Sequence, residues 1–321
     1  MTTAAPAAPE RPGTARVASW WFAPAPLARI AWLRLLVYPF VFVDVLLTTS
    51  WVRLHGHVPG ILHQPLALGR ILDLPAPGPV LVPAVLVALL AAAAAATSGR
   101  WPRAAGSLVF ALYLWWMLIA FSYGKVDHDR FAYLIALAVL PTVGRATTSD
   151  KRSTEAAGWA LRSIQVAVVA TYFLAVVAKL RYVGPEWATS SILLRSIARR
   201  GSALADPLVD HPGLLVVAQV AILGLELASP LLLRSGRTQR IGVAVAATFH
   251  LVTYIGIRII FLPHLVGLAA FLPLERLERP GRNRRRTDRP ARRTEPIIAM
   301  PPCSSPAAGA PSTPPTAVPV T

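Results

Sequence analysis

The sequence has little of the charge that covers a soluble globular protein. Only 15% of its 321 residues are charged and 55% are hydrophobic, whereas typical soluble domains carry roughly 25% charged residues. The mean hydropathy is +0.53. The apolar residues are gathered into runs of roughly 20 residues, the length of a helix that crosses the hydrocarbon core of a bilayer. These features exclude an ordinary soluble domain and predict an all-α integral membrane protein.

Cysteine is almost absent, because Cys303 is the only one in the sequence. An intrachain disulfide is therefore excluded, and no thiol catalysis is expected. The first 19 residues are rich in Ala, Pro and Thr and contain no apolar core. We therefore expect no cleaved signal peptide, and the first span is predicted to direct insertion.

Acidic residues are also scarce, with 15 Asp and Glu against 32 Lys and Arg, which gives a net charge of +17. In a soluble protein this excess would suggest nucleic acid. Here much of it lies in residues 276–293, where nine arginines face only Glu278 and Asp288. A basic segment just after a last span is typical of cytoplasmic anchoring to anionic lipid head groups. No aromatic platform accompanies the charge, so no nucleic-acid partner is predicted.

The apolar runs predict a bundle of about eight transmembrane helices in a membrane domain of residues 20–275. Residues 1–19 and the basic, then Pro/Ala-rich tail 276–321 are predicted to be disordered and cytoplasmic. The predicted spans are 28–48, 79–97, 104–122, 131–143, 158–180, 213–233 and two within 241–274 that turn at about Arg258.

Lysine and arginine cluster in alternate loops, namely 98–103, 144–157 and 234–240. The positive-inside rule therefore predicts that these loops and both chain ends are cytoplasmic. The opposite side has two long connections, 49–78 and 181–212. The second is itself basic, and its mixed apolar and basic pattern over 187–205 predicts a helix lying in the membrane interface.

Several ionisable residues fall inside the predicted spans. A charged side chain at that depth costs free energy, so each one is expected to have a partner or a function. Lys179 ends an apolar run, and it either extends to the interface or is held in a low dielectric where a neutral amine serves as a base. His250 either forms a hydrogen bond to a neighbouring helix or takes part in catalysis. His264 lies nearer the outer end of its predicted span, where a structural role is more common. Glu226 and Asp44 each need an internal partner. Arg34 is a candidate partner for an acid on another helix.

The densest polar cluster of the membrane domain runs from Tyr123 to Arg130, on the predicted external side. Asp127 or Asp129 is placed to cap the next helix. The cluster is either a solvated loop or, with His128 among the charges, a site for proton handling or substrate contact. Its residues are too close together to complete a metal site, so none is predicted.

The predicted orientation places most of these groups towards the external half of the membrane, with His250 and Glu226 deeper. We therefore expect a shared polar pocket that opens outward. Its predicted members are Asp44, Lys125, Asp127, His128, Asp129, Lys179, Glu226, His250, Arg258 and His264.

The run YFLAVVAKL over 172–180 is followed closely by Glu186-Trp187. These residues resemble the Y-F-x-A-G-x-A-K-L … D-W-L signature of the HTTM family, the bacterial membrane proteins related to the vitamin K-dependent gamma-carboxylase. Three further short blocks resemble motifs of the same family. The order continues with Glu226-Leu-Ala-Ser-Pro-Leu-Leu, similar to E-L-x-x-P-L-L, and with Phe249-His250-Leu, similar to F-H-L. Earlier in the chain, His128 with Tyr133-Leu resembles the family's N-H-x-Y-L element.

The resemblance implies quinol-coupled chemistry at a site in a bacterial cell membrane. It assigns Lys179 as the base that deprotonates a menaquinol-type cofactor and His250 as the residue that supports it. Two other functions remain open from the residues themselves. One is a permease that uses midplane polar groups such as Glu226, and the other is a non-catalytic membrane partner or assembly factor.

Overall fold

The chain is an all-α membrane protein. A computed structural model describes residues 13–124 and 126–277. The helices are α1 (Gly13–Trp21), α2 (Leu27–Val43), α3 (Ala67–Ile71), α4 (Leu81–Thr97), α5 (Ala104–Phe121), α6 (Phe131–Val139), α7 (Glu155–Tyr182), α8 (Ile192–Arg200), α9 (Pro212–Ala228), α10 (Arg237–Ile257) and α11 (Leu262–Leu268). Five helical segments are long and apolar enough to span a membrane: Leu27–Thr48, Ala104–Phe121, Glu155–Tyr182, Pro212–Leu233 and Arg237–Ile257.

Three other predicted spans form shorter helices. The helix α4 has 17 residues, α6 has 9 before the 3₁₀ turn Leu140–Val143, and α11 has 7 before the 3₁₀ turn Ala269–Phe271. The chain turns at Arg258, as the sequence predicted, and this residue takes a left-handed conformation with φ of 53°.

The core lies between α2, α4, α5, α6 and the first half of α7. The alanine-rich helix α4 packs along α5, since small side chains allow close approach of two helices. Large aromatic side chains fill the centre, and Tyr38, Tyr113, Trp116 and Tyr133 are fully buried. In contrast, α9 and α10 bury little of their apolar surface. Such all-round apolar exposure suits helices that face lipid.

A two-stranded clip joins the beginnings of α2 and α7. Strand β1 (Ala25–Pro26) pairs antiparallel with β2 (Ser153–Thr154). Thr154 then caps α7, because its hydroxyl accepts a hydrogen bond from the Ala157 amide at 3.2 Å. At Gly158 a Cβ atom would lie 1.9 Å from the Ala23 carbonyl oxygen, so the close approach of the two segments requires glycine.

Residues 13–19 belong to α1, although the sequence predicted disorder as far as residue 19. The helix lies against α7, where the Arg162 guanidinium is 5.0 Å from the ring centre of Trp20. This cation–π contact holds the short helix α1 against α7. The amino-acid composition of residues 13–19 did not indicate such a contact. Lys125, Cys303 and the basic tail beyond Leu277 lie outside the described residues.

The two long connections are partly helical. The first contains the 3₁₀ segments Ser50–His57 and Gly60–Leu62 followed by α3. The second contains the 3₁₀ turn Pro185–Thr189, then α8, then the 3₁₀ turn Asp206–Asp210. Both follow helices that start at the clip, so they lie at the same end of the bundle.

Candidate functional site: two buried polar clusters

The first cluster is built around an ion pair between Lys179 on α7 and Glu226 on α9. The Lys179 ammonium donates hydrogen bonds to both carboxylate oxygens. The Glu226 side chain is 8% exposed and that of Lys179 is 22% exposed, and the ring of Trp187 lies 5.0 Å from the ammonium. Lys179 therefore turns into the protein instead of extending to the interface. The pairing explains how α9 carries a carboxylate among apolar residues.

A tyrosine and two histidines lie on the same side of α7. Tyr172 is two helical turns before Lys179, so both residues share a helix face. The Tyr172 hydroxyl lies 2.6 Å from Nε2 of His250 on α10. The ring of His264 on α11 is 4.5 Å from that of Tyr172 and 5.3 Å from that of His250. Four helices thus contribute to one group of polar side chains.

His264 is 1% exposed, and in the described part of the chain neither of its ring nitrogens has a hydrogen-bond partner. The Nδ1 atom of His250 is likewise buried and unsatisfied. A buried polar atom without a partner costs about 1–3 kcal/mol. These nitrogens are therefore well suited to bind a hydroxyl or carbonyl group of a ligand.

An apolar cavity of about 280 Å³ adjoins this cluster. It lies between the end of α9 and the beginning of α10, and Tyr172 forms part of its wall. The other lining residues are mainly apolar and include Leu225, Leu232, Gly242 and Val245. A cavity of this composition can hold the hydrocarbon part of a ligand.

The second cluster centres on Arg130, the last residue of the polar run 123–130, which was not among the predicted members of the pocket. Its guanidinium lies 3.3 Å from Asp44, 3.2 Å from Asp129 and 3.4 Å from Asp127. Asp44 is fully buried and also accepts a hydrogen bond of 2.8 Å from the Tyr113 hydroxyl. Asp44 directly follows the last residue of α2 and begins a π-helical turn, Asp44–Thr48. Such turns are frequent at functional sites.

Two expectations about these residues were wrong. Arg34 has no acidic partner within the part of the chain that the structure describes. It donates hydrogen bonds to the carbonyl oxygens of Leu140 and Gly144, at 2.5 and 2.6 Å, at the 3₁₀ turn after α6. Asp127 and Asp129 do not cap α6, because Arg130 engages both carboxylates. Burial raises the pKa of Asp129 above its usual range, and the nearby Arg130 charge opposes that change.

The predicted single pocket is therefore divided into two clusters. Lys179, Glu226, His250 and His264 belong to the first, and Asp44, Asp127 and Asp129 to the second. His128 lies between them, close enough to interact electrostatically with Glu226, His264 and Asp129. Arg258 is exposed at the end of α10 and belongs to neither cluster.

Some members of the clusters have no signal in the sequence. Tyr172 could have been found from its position two turns before Lys179, but nothing connects Tyr113 or Trp187 to a site before the helices are packed. Across residues 13–124 and 126–277, no three His, Cys, Asp or Glu side chains are arranged to hold a metal ion.

No protein-family model, curated protein or solved structure matches this chain.

Proposed function

We propose that the protein is a membrane enzyme of the HTTM type that acts with a lipid-soluble quinol, with Lys179 as the base. The observation that supports this is the convergence of Tyr172, His250 and His264 with the Lys179–Glu226 pair, whose Glu226 is near enough to interact electrostatically with Tyr172. Tyr172 also lines the apolar cavity. A quinol bound there would supply two electrons and two protons, and dioxygen would accept them in the oxygenation chemistry that the resemblance implies.

Each side chain has a defined part in this proposal. In a low dielectric, an ion pair and its neutral form are close in free energy. Glu226 can then take the proton of Lys179 and leave a free amine that accepts a proton from a ligand hydroxyl. The unsatisfied nitrogens of His264 and His250 would bind the ligand oxygen, and the Tyr172 hydroxyl fixes the orientation of the His250 ring.

The proposal includes the eight-span arrangement with both ends in the cytoplasm of a bacterial cell. In it, α4, α6 and α11 complete the bundle although each is shorter than the roughly 20 residues that cross a bilayer unaided. The basic loops 98–103, 144–157 and 234–240 support this orientation.

The test is to purify the full chain from a menaquinone-producing bacterium in mild detergent and to measure copurifying quinone by mass spectrometry. We expect retained quinone in the native protein and a loss of at least tenfold in His264→Phe. Lys179→Ala should abolish turnover of added menaquinol, measured on protein that its melting curve shows to be folded. Lys151→Ala, which removes an exposed lysine from a loop, is the matched control. Normal activity of the Lys179→Ala protein would refute the proposal that Lys179 is the base of an enzyme.

One observation favours a second function, that of a non-catalytic membrane partner. The Lys179–Glu226 pair joins α9 to α7, and α9 has few other buried residues. The ion pair would then serve only to hold the helices together. The charge-exchanged variant Lys179→Glu with Glu226→Lys separates the two ideas, because it keeps the pair but moves the base to another helix. Restored stability together with restored function would favour the partner role.

A further inference from the structure

The short helix α8 has one buried and one exposed face. Ile197 is 3% exposed and packs with Leu215 of α9 and Ile257 of α10. The apolar face of α8 is therefore already covered by the protein, which holds the helix at the end of the bundle where α7 ends and α9 begins.

The exposed face of α8 carries unpaired positive charge. Arg195 and Arg199 are four residues apart and so project from the same side of the helix, and Arg200 follows directly. All three are exposed. Among the described residues none of these guanidinium groups is in an ion pair, even though Asp206 and Asp210 follow closely in the chain.

The chain on either side of α8 carries exposed apolar side chains. Tyr182 at the end of α7 is 81% exposed and Leu204 after α8 is 76% exposed. Arginines beside exposed apolar side chains are typical of helices in the interface between water and lipid. The patch also lies at the end of the bundle opposite the basic loops, so the positive-inside rule does not account for it.

We propose that the outward face of α8, with Arg195, Arg199 and Arg200, binds the phosphate groups of anionic phospholipids in the adjacent leaflet. Guanidinium groups bind phosphate oxygens through paired hydrogen bonds. The level of α8 at the span ends places these groups where lipid head groups lie. This binding is independent of any reaction at Lys179.

The test measures lipid binding to the purified full chain. The protein is exchanged into detergent with equal amounts of phosphatidylglycerol and phosphatidylcholine, and bound lipid is counted by native mass spectrometry. We expect the native protein to retain phosphatidylglycerol preferentially. One basic residue near an anionic surface contributes about fivefold to binding, so Arg195→Gln with Arg199→Gln should weaken phosphatidylglycerol binding by about 25-fold and leave phosphatidylcholine unchanged.

The matched control is Arg53→Gln with Arg70→Gln, which removes the same charge from exposed positions at the same end of the bundle. Equal loss in the control would show a bulk charge effect and overturn the proposal, as would unchanged binding in the α8 variant. Release of the lipid by inorganic phosphate, but not by chloride at equal ionic strength, would indicate a site for free phosphate instead.

A third variant covers the case in which the glutamine variant fails to fold. Ala198→Glu adds a carboxylate to an exposed position of α8 and leaves the arginines in place. Reduced phosphatidylglycerol binding with an unchanged Tm supports the proposal, and unchanged binding contradicts it.

Discussion

The Tyr172 hydroxyl lies 2.6 Å from Nε2 of His250, and this contact ties α7 to a helix that is otherwise largely exposed. The buried residues of α10 are Ala246 and His250. This polar contact thus joins α10 to α7, beside the apolar packing of Ala246, Val243 and Phe249 in the same region.

Tyr172→Phe should therefore lower stability by about 1–3 kcal/mol, because it leaves a buried imidazole nitrogen without a partner. The measurement is the Tm of the purified protein in detergent. Tyr254→Phe is the control, since Tyr254 is half exposed on the same helix. Equal Tm values for the two variants would contradict the structural role of the contact.

Arg130→Gln should be more damaging than any change to an exposed arginine. It leaves Asp44 fully buried without its counter-ion, and breaking a buried pair costs about 3–5 kcal/mol. Adding Asp44→Asn should recover part of the loss, because the uncompensated charge is then gone. If the double variant melts no higher than Arg130→Gln alone, the pairing of Asp44 with Arg130 is not what holds this cluster.

The pair between Arg29 and Glu275 predicts a pH dependence. Hydrogen bonds from the Arg29 guanidinium, at 2.6 and 2.7 Å, hold the pKa of Glu275 below its usual range. The stabilisation is therefore present above the unfolded glutamate pKa of about 4.3 and is lost as the pH falls through the folded value. Because the pair is partly exposed, its contribution is at most about 1 kcal/mol.

Thermal unfolding at pH 7 and pH 3 tests that pair. Glu275→Gln should lower the Tm at pH 7 and lower it by less at pH 3, because the stabilisation decreases once the pH is below the unfolded glutamate pKa. Glu186→Gln, at an exposed glutamate, is the control. A Glu275→Gln deficit of the same size at both pH values would contradict the assignment.

Gly158→Ala should destabilise the protein by about 1–3 kcal/mol or more, the range for forced overpacking. The added Cβ would overlap the Ala23 carbonyl oxygen, which is backbone and cannot rotate away. Gly213→Ala, on a helix where nothing lies within 4 Å of the added atom, should be neutral. A neutral Gly158→Ala would show that the segments at the clip can separate without loss.

The membrane fold could be predicted because apolar run length reports directly on bilayer thickness. Because Asp44 and Glu226 lie in apolar runs, the sequence also predicted that each needs a partner inside the protein. The sequence did not predict which residues those partners are. Arg130 lies at the edge of a loop in the sequence and looks solvated there, and only the packing of α2 against α6 brings it to Asp44.

The division of the polar residues into two clusters could not be predicted from the sequence either. The order of the spans predicts how deep each residue lies in the membrane. It does not predict how each helix is rotated about its own axis, which decides the neighbours that a side chain faces. The rotation of α7 places Tyr172 and Lys179 towards α10 and α9, while α2 and α5 bring Asp44 and Tyr113 together beside Arg130. Helix rotation is set by tertiary packing, which short motifs do not encode.

The clip between β1 and β2 constrains the order in which the molecule can be assembled. Its two strands flank the whole of α2 to α6 in the chain, so their pairing cannot form until residue 154 has been made. The helix α2 can pack against α4 before that point, and the segment ahead of α7 then closes the clip at the beginning of α2.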